Sequence, residues 1–308
     1  MYEVLNMSTD AKNINNLTYT DYYYRLMLMA RNVYAWENLP NGIDEKWIER
    51  YLFAEGQCMF FFDETFGFMV ARCNVNDNLN EQDEPTVLIP VATNYIPRPE
   101  GYRNFMGRKI EGAKPKDQCV LIRNNDIMIP TARTIKLFAM RLTEIQRTID
   151  INIHAQRTPV LVRCQERTRL TLKNIYKQWQ GNEPVIFGDK SLDDNEAFNV
   201  LRTDAPVVFP QLQVQSHSVW NEAMTFIGVN NANMDKRERL VDDEVQANNQ
   251  QIQLSASIGL KARERACDLI NELYKDDLKG KKVSVRMRSK NELEAIITSE
   301  SEGIKNVC

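Results

Sequence analysis

The stretch TARTIKLFAMRLTEIQRTIDINIHAQ, which runs from Thr131 to Gln156, decides how the rest of this chain is organised. It contains neither glycine nor proline and is rich in good helix formers, so it predicts one uninterrupted helix. At about 1.5 Å per residue this helix would be roughly 40 Å long, which is long for a piece of a compact domain. The stretch therefore predicts a strut.

The apolar residues of this stretch form a single narrow seam along the helix. They recur at steps of three and four residues, and they are Ile135, Phe138, Leu142, Ile145 and Ile149. The helix of a globular core usually has a wider apolar stripe, whereas cationic side chains flank this seam. These side chains are Arg133, Lys136, Arg141 and Arg147. We expect the seam to face a partner helix, and much of the remaining surface to face water or another charged surface.

The composition of the chain indicates a soluble globular protein. With 308 residues it is long enough to bury a large core, and about two domains are expected from this length. Hydrophobic residues make up 43% of the chain, charged residues make up 26%, and the net charge is -3. This charge argues against a DNA-binding protein with an overall basic face, although local basic patches are compatible with it.

The cysteine pattern and the absence of a recognisable targeting or membrane segment indicate the compartment in which we expect the protein. Six cysteines are spread along the chain without any CxxC pair, so neither a zinc site nor a disulfide framework is predicted. This cysteine usage is typical of a reducing compartment. Because no segment resembles a signal peptide or reaches the length of a membrane span, we expect no membrane contact.

Two helices are predicted near the N-terminus. A flexible segment at residues 1–21 is followed by an amphipathic helix at residues 22–36. Asp44 is placed to cap the next helix, and Gly56 is placed to end it in the left-handed conformation.

Residues 56–123 consist of short aromatic and β-branched runs between turn residues, which is typical of strands. The predicted strands are a hairpin of residues 58–62 and 66–73, followed by residues 86–91 and 119–123. They predict a small β-barrel or a sandwich, with the proline- and glycine-rich connection 97–115 on its surface.

A compact α/β insertion is predicted after the strut. Its elements are a helix at 170–179 and strands at 160–163, 184–187 and 206–209. A second strut helix returns at 212–228, which places the insertion at the tip of two long helices. The polar segment 230–249 predicts an exposed loop with partial helicity around residues 235–244, and a further helix is predicted at 250–274. The charged tail from Lys275 should be the least ordered region.

The side chains that catalysis and metal binding need are scarce. The two histidines, His154 and His217, adjoin no cysteine or serine motif, so neither a metal site nor a Ser-His-Asp triad is expected. The sequence GDKS at 188–191 is like the end of a phosphate-binding loop but lacks the upstream glycine. We therefore expect no catalytic residue, no metal, no cofactor and no enzymatic activity.

Basic residues are concentrated in one part of the chain. From Thr131 to Gln180 there are ten Lys and Arg residues against three Asp and Glu residues, whereas residues 181–199 are acidic. Such segregation indicates an assembly surface or a nucleic-acid path, and an ordinary solvated face is the alternative interpretation.

Several motifs between Tyr22 and Tyr274 resemble one family, and they occur in the same order along the chain. They are WENLP at 36–40, NND at 124–126, AQRTPVLVR at 155–163, PVIF at 184–187, TDAP at 203–206, and the stretch 219–245 with VWNE and NAN. These motifs resemble the portal, or head-tail connector (upper collar), protein of small short-tailed phages with protein-primed DNA genomes.

The resemblance implies an α+β fold that assembles as a ring, a dodecamer, at one vertex of the capsid. It also implies long tilted stem helices, an inserted small α/β clip module and an SH3-like small β-domain. In this scheme the wing is residues 22–130, the stem is 131–156 and 211–229, the clip is 157–210, the channel loop is 230–249, and a wing or crown helix with the C-terminal tail is 250–308.

The resemblance implies which residues face DNA and which face other subunits. Basic residues of the family's channel loop correspond to Lys236 and Arg237, Arg239 lies in the same loop, and Arg202 stands where a relative has a lysine close to the channel. A basic residue of relatives is missing at Gln211. In a closed ring each strut has neighbours on both sides, so the seam would lie between subunits. The seam residues in this role are Phe138, Leu142, Ile145 and Ile149.

The implied function is a structural conduit in the virion, assembled in the host bacterial cytoplasm, through which the genome is packaged and ejected. The implied partners are further copies of the chain, double-stranded DNA, major capsid and scaffolding proteins, a packaging ATPase, and tail or lower collar proteins. One alternative is a tail or collar adaptor ring without a DNA path. Another is a nuclease-like or NTP-using packaging enzyme, which the missing motifs disfavour.

Overall fold

A computed structural model describes residues 11–75, 79–91, 100–107, 112–156, 160–164, 185–189, 198–200, 206–229, 242–289, 291–293 and 295–296. The chain divides into two compact units. The first consists of Met1–Thr18 and Arg141–Val219, and the second of Tyr19–Met140 and Trp220–Cys308.

Helices and strands alternate irregularly along the described parts of the chain. The helices are α1 Ala11–Arg31, α2 Glu45–Glu55, α3 Thr131–Ala155, α4 Phe209–Ile227 and α5 Asp242–Leu273. The strands are β1 Tyr34–Glu37, β2 Gln57–Asp63, β3 Gly67–Val75, β4 Val87–Val91, β5 Tyr102–Asn104, β6 Gln118–Arg123, β7 Val160–Cys164, β8 Val185–Asp189, β9 Phe198–Val200 and β10 Ser284–Met287.

The N-terminal region differs from the sequence prediction at both ends of α1. The helix begins at Ala11, so residues 11–21, which were predicted to be flexible, are helical. It ends at Arg31, whereas the prediction continued it to Trp36. Residues 33–36 are consecutive and all buried, which suits a strand covered on both faces better than an amphipathic helix.

The two capping residues of α2 confirm the prediction made for them. The Asp44 side chain accepts a hydrogen bond from the Lys46 backbone N–H at 2.9 Å and satisfies a free donor at the start of the helix. Gly56 ends the helix with φ +81°, and its N–H donates to the Leu52 carbonyl oxygen at 3.0 Å. Only glycine fits here, because a Cβ atom would lie 2.0 Å from the Met128 carbonyl oxygen.

Strands β2 to β6 close into a five-stranded barrel, one of the two architectures predicted for residues 56–123. Sequential strands pair antiparallel except β5 and β6, which are parallel, and β6 closes the barrel by pairing antiparallel with β2. The predicted hairpin is β2 and β3. Its turn is closed by the Asp63 carboxylate, which accepts from the backbone N–H groups of Thr65 and Phe66 at 2.8 and 3.1 Å.

Apolar, aromatic and sulfur-containing side chains fill the barrel. Its buried residues are Met59, Phe61, Ala71, Leu88, Tyr102, Cys119 and Leu121. The rings of Phe61 and Tyr102 pack with their centroids 4.7 Å apart. Tyr102 belongs to β5, which lies within the connection 97–115 that was predicted to be on the surface. The prediction missed this strand because three residues are too few to show an alternating pattern.

The C-terminal part of the second unit contains more structure than was predicted. Helix α5 begins at Asp242, so residues 242–249 of the predicted loop are helical. Strand β10 pairs antiparallel with β1, with Val285 opposite Trp36. The prediction of a poorly ordered tail is therefore wrong for residues 275–289. The tail is held by buried apolar side chains, which are Leu278, Val283 and Val285.

The first unit contains a three-stranded sheet of order β8–β7–β9, in which β7 pairs parallel with β8 and antiparallel with β9. Strands β7 and β8 confirm two of the three predicted strands of the insertion. The third prediction, at 206–209, is wrong because the chain enters α4 at Phe209, where Pro210 lies in the first turn and costs no helical hydrogen bond. The predicted helix at 170–179 lies outside the described residues.

Candidate assembly surfaces

Helix α3 confirms the predicted strut, and its predicted seam falls into two parts. Phe138 and Leu142 are buried within their own chain, and Phe138 packs on Phe226 of α4 with the ring centroids 6.0 Å apart. Ile145 and Ile149 are only half-buried. The proposed contact of these four residues with a neighbouring subunit stays a prediction.

Large apolar side chains are exposed in pairs on the long helices of the second unit. Leu137 and Met140 of α3 are three residues apart, so they share one face of the helix, and they are 48% and 56% exposed. Leu254 and Ile258 of α5 are four residues apart, and they are 67% and 54% exposed. Exposed apolar groups that lie together, rather than singly, are typical of interaction surfaces.

The first unit also exposes apolar side chains, and two polar residues hold its elements together. The exposed side chains are Ile151, Ile153, Val207, Phe209 and Val214. Asn152 is buried and donates to the Pro206 carbonyl oxygen at 2.8 Å, while its own oxygen accepts from the Val208 N–H at 3.2 Å. Arg147 donates to the Asn15 side chain and to the Asp150 carboxylate, both at 2.7 Å. These contacts hold the segment before α4, and the start of α1, against α3.

The apolar spacing of α3 in the sequence indicates a structural role for Asn152. The seam residues Ile145 and Ile149 are followed by Asn152 at the next step of three, so an amide occupies an apolar position of the helix. A polar group at such a position needs hydrogen-bond partners. Sequence alone does not identify them.

The candidate DNA contacts Lys236, Arg237, Arg239 and Arg202 lie outside the described residues. Within the described part of α3, the Arg133 and Lys136 side chains are exposed. His217 is exposed on α4, and the side chain of His154 lies outside the described residues.

The second unit contains a buried ion pair that the sequence analysis missed. Arg263 donates through Nε and Nη2 to the two carboxylate oxygens of Glu49 at 2.8 and 2.7 Å, and both side chains are 3% exposed. Trp36 Nε1 donates to the same carboxylate at 2.9 Å, and the guanidinium carbon lies 4.0 Å from the centroid of the Tyr34 ring. Burial lowers the pKa of Arg263, but the Glu49 carboxylate more than offsets this effect, so the pKa is raised overall.

The periodicity of α5 was the available signal for Arg263. Buried residues recur along this helix at helical spacing, and they are Ile252, Ala256, Arg263, Cys267 and Ile270. An arginine in that series occupies a core position and needs an acidic or carbonyl partner. The partner is 214 positions away in the sequence, so the pattern on α5 does not identify it.

In the described ranges no group of three or more His, Cys, Asp and Glu residues is placed to hold a metal ion. Burial raises the pKa of Cys58 and Cys119 well above the ordinary value and raises the pKa of Cys73 and Cys267 to about 12. These four thiols are therefore protonated at neutral pH and are poor nucleophiles. A bilayer-spanning helix, judged by length and apolar character, is absent from the described part of the chain.

Comparisons with known proteins match nearly the whole length of this chain. The family model described as Phage Connector (GP10) matches residues 2–291. Among solved structures, the chain is similar to "Portal and tail of native bacteriophage P68", with a TM-score of 0.47 and 14% sequence identity. The match covers 96% of this chain and 96% of that chain.

Proposed function

The chain belongs to the phage connector family, and we propose that it forms the ring-shaped DNA channel at one capsid vertex through which the genome is packaged and ejected. The observation that carries the proposal is the family match over residues 2–291, which includes both units of the fold. Membership makes the chain a head-tail connector, and so a component of the phage virion.

The proposed ring is a homo-oligomer, a dodecamer, closed by one repeated contact between two unlike faces of each subunit. The exposed pairs Leu137 with Met140 and Leu254 with Ile258 support it, because each pair offers apolar surface that its own chain leaves open to water. In this assembly α3 and α4 form the stem. Ile145 and Ile149 reach a neighbour, while Phe138 and Leu142 mainly support α3 from inside their own subunit.

DNA contact is proposed for Lys236, Arg237, Arg239 and Arg202. Cations bind phosphate without reading sequence, and each contact is weak and dependent on salt. A ring repeats the weak contact around the channel, which suits a duplex that has to slide. The proposed interaction needs no catalytic group, and the enzymatic step of packaging is assigned to a separate ATPase.

The remaining partners are assigned to the other modules of the chain. The closed five-stranded barrel supports an SH3-like wing domain, and the sheet β8–β7–β9 supports a clip at residues 157–210. We assign the packaging ATPase and the tail or lower collar proteins to the clip. The major capsid and scaffolding proteins are assigned to the wing.

The test of DNA contact replaces the three loop cations together, as Lys236→Ala, Arg237→Ala and Arg239→Ala. A matched control replaces three exposed lysines of the C-terminal region, as Lys275→Ala, Lys279→Ala and Lys281→Ala, which removes the same charge. Binding of purified rings to double-stranded DNA of two unrelated sequences is measured against salt concentration. The loop variant should bind both sequences more weakly with a smaller salt slope, while the control behaves like the unmodified ring.

Packaging provides the second measurement and separates the two candidate functions. Heads assembled with the loop variant should contain less retained DNA than heads assembled with the control variant. Wild-type filling and an unchanged salt slope would contradict the DNA-channel proposal. That result would favour a tail or collar adaptor ring without direct DNA contact.

A further inference from the structure

Asn124 connects the buried ion pair Glu49–Arg263 to the first residue of α3. Arg263 Nη2 donates to the Asn124 side-chain oxygen at 3.2 Å, and Arg263 Nη1 lies 3.4 Å from the Asn124 carbonyl oxygen. On its other side, the Asn124 amide nitrogen donates to the hydroxyl of Thr131 at 2.9 Å. Hydrogen bonds therefore run without a break from α2 through α5 and residue 124 to the start of α3.

The guanidinium of Arg263 has a single position in this arrangement. Its Nε and Nη2 hold both oxygens of Glu49, and Nη1 also donates to the Gly259 carbonyl oxygen at 3.0 Å. The ring of Tyr34 covers one face of the guanidinium. Because the guanidinium is planar and its donors are all engaged, its orientation relative to these partners is fixed. Replacing a buried ion pair by packed apolar residues is often neutral for stability, whereas removing only one partner leaves an unpaired buried charge.

The loop between β6 and α3 is equally constrained. The Asn124 N–H donates to the Gly56 carbonyl oxygen at 2.9 Å. The Asn125 side chain donates to the Ile129 carbonyl oxygen at 2.8 Å and accepts from the Ile129 N–H at 3.0 Å. Gly56 packs so closely on Met128 that no side chain fits between them. These contacts hold the loop itself in place, whereas only the Asn124 side chain carries the connection from Arg263 to Thr131.

We propose that Asn124 is a positioning residue that transmits the fixed placement of Arg263 to Thr131 and thereby sets the direction in which α3 leaves the β-barrel. The inference rests on the proposed ring, since an error in the direction of a stem helix is repeated at every interface of a closed assembly. A small change per subunit then alters the number of subunits that close the ring, or prevents closure.

A neighbouring cavity allows the positioning role to be separated from folding. It has a volume of about 190 Å³, and its lining includes Glu49, Asn124, Thr131 and Arg263. This volume is large enough for water, and the polar groups in the lining offer it hydrogen-bond partners. If the Asn124 side chain is removed, water therefore replaces its hydrogen bonds. The second unit stays folded while α3 loses its fixed direction.

The first variant is Asn124→Ala, which cuts the connection and leaves the Glu49–Arg263 pair in place. Its matched control is Asp126→Ala, which removes the ion pair of Asp126 with Arg265 at 2.9 Å between the same loop and the same helix. This control pair is exposed, at 63% and 65% of the side-chain surface. Thr131→Val and Thr131→Ser form a second set, because only serine retains the hydroxyl that accepts from Asn124.

Two measurements are made on each variant. Hydrogen exchange on dissociated subunits reports the loop and the first turns of α3, and native mass spectrometry with electron microscopy reports the subunit number of assembled rings. Asn124→Ala and Thr131→Val should exchange about two- to tenfold faster at residues 125–135, because each variant loses a hydrogen bond that restrains this segment. They should also give rings of mixed subunit number or open assemblies. Asp126→Ala and Thr131→Ser should match the unmodified protein.

The outcomes that overturn the inference are specific. Rings of a single, unchanged subunit number from Asn124→Ala and Thr131→Val would overturn it, even if their thermal stability fell, since a merely structural role predicts only that fall. If Asn124→Ala does not fold, the double variant Glu49→Gln with Arg263→Met decides. It keeps an acceptor for Trp36 and removes the buried charges, and unchanged exchange and rings would overturn the inference. If the unmodified chain forms no rings, the proposed function fails, while the exchange comparison still decides the role of Asn124.

Discussion

Replacing Gly56 by alanine should lower the free energy of unfolding by about 1–5 kcal/mol, through two separable effects. The first is conformational: Gly56 has φ +81°, and an L-residue pays about 1–2 kcal/mol for the left-handed region. The second is steric, since the added Cβ would lie 2.0 Å from the Met128 carbonyl oxygen and 2.9 Å from the Pro130 nitrogen. Both are backbone atoms, so the loop itself has to move.

Movement of this loop breaks identifiable hydrogen bonds. The Asn125 side chain makes two bonds with the Ile129 backbone, and the Asn124 N–H donates to Gly56 itself. At about 0.5–1.5 kcal/mol per bond, disturbing two of them adds about 1–3 kcal/mol to the conformational cost. Lower entropy of the unfolded chain offsets about 0.4–1 kcal/mol.

Gly67→Ala is the matched control. Gly67 has φ +78°, close to that of Gly56, but a Cβ atom added there meets nothing within 4 Å. Gly67→Ala should therefore lower the free energy of unfolding only by the conformational cost, about 1–2 kcal/mol. Both variants are unfolded in urea at equal protein concentration, with tryptophan fluorescence and far-UV circular dichroism as probes. Equal losses for the two variants would refute the close approach of Gly56 to Met128.

Three further predictions concern the assembly face, the buried thiols and the C-terminal strand. Met140→Glu, at an exposed site, should change subunit stability by less than about 0.5 kcal/mol but reduce ring formation. Leu142→Ala, at a buried site, should lower the free energy of unfolding by about 2–5 kcal/mol. Normal ring formation by Met140→Glu would show that this face of α3 is not part of the subunit contact. The stability contributed by Cys73 and Cys267 should be complete below their ordinary pKa of 9.0 and be lost as pH rises to about 12, because the folded-state pKa is raised. The free energy of unfolding, obtained from melting curves at each pH in this range, should fall less steeply with pH, by about 1.4 kcal/mol per pH unit, when one of the two cysteines is replaced by alanine. An unchanged slope would show that the thiol is not buried. Val285→Asp should cost about 2–4 kcal/mol because it buries a charge in β10. Arg286→Ala, which removes exposed ion pairs with Glu37 and Glu292, should destabilise the protein much less, and equal effects of the two variants in chemical unfolding would contradict the burial of this strand.

Local features of this chain were predicted from sequence because the interactions behind them span only a few residues. The cap at Asp44 reaches two residues forward, the end at Gly56 depends on one backbone conformation, and the hairpin turn uses a side chain that bonds two and three residues ahead. The length of α3 follows in the same way from an uninterrupted run of helix formers. Family membership was also within reach, since several short motifs in a constant order point to it.

Only the tertiary structure decided which surfaces are covered and which residues meet. The spacing of Phe138 and Leu142 shows that they share a face of α3, but periodicity is identical whether that face is covered by the same chain or by a neighbour. In the structure their own chain covers them. The partners Glu49 and Arg263, and the strands β1 and β10, are separated by more than 200 positions, so no local pattern records their pairing. Such contacts form because folding brings distant core positions together, where an uncompensated charge or an open strand edge would be too costly to bury.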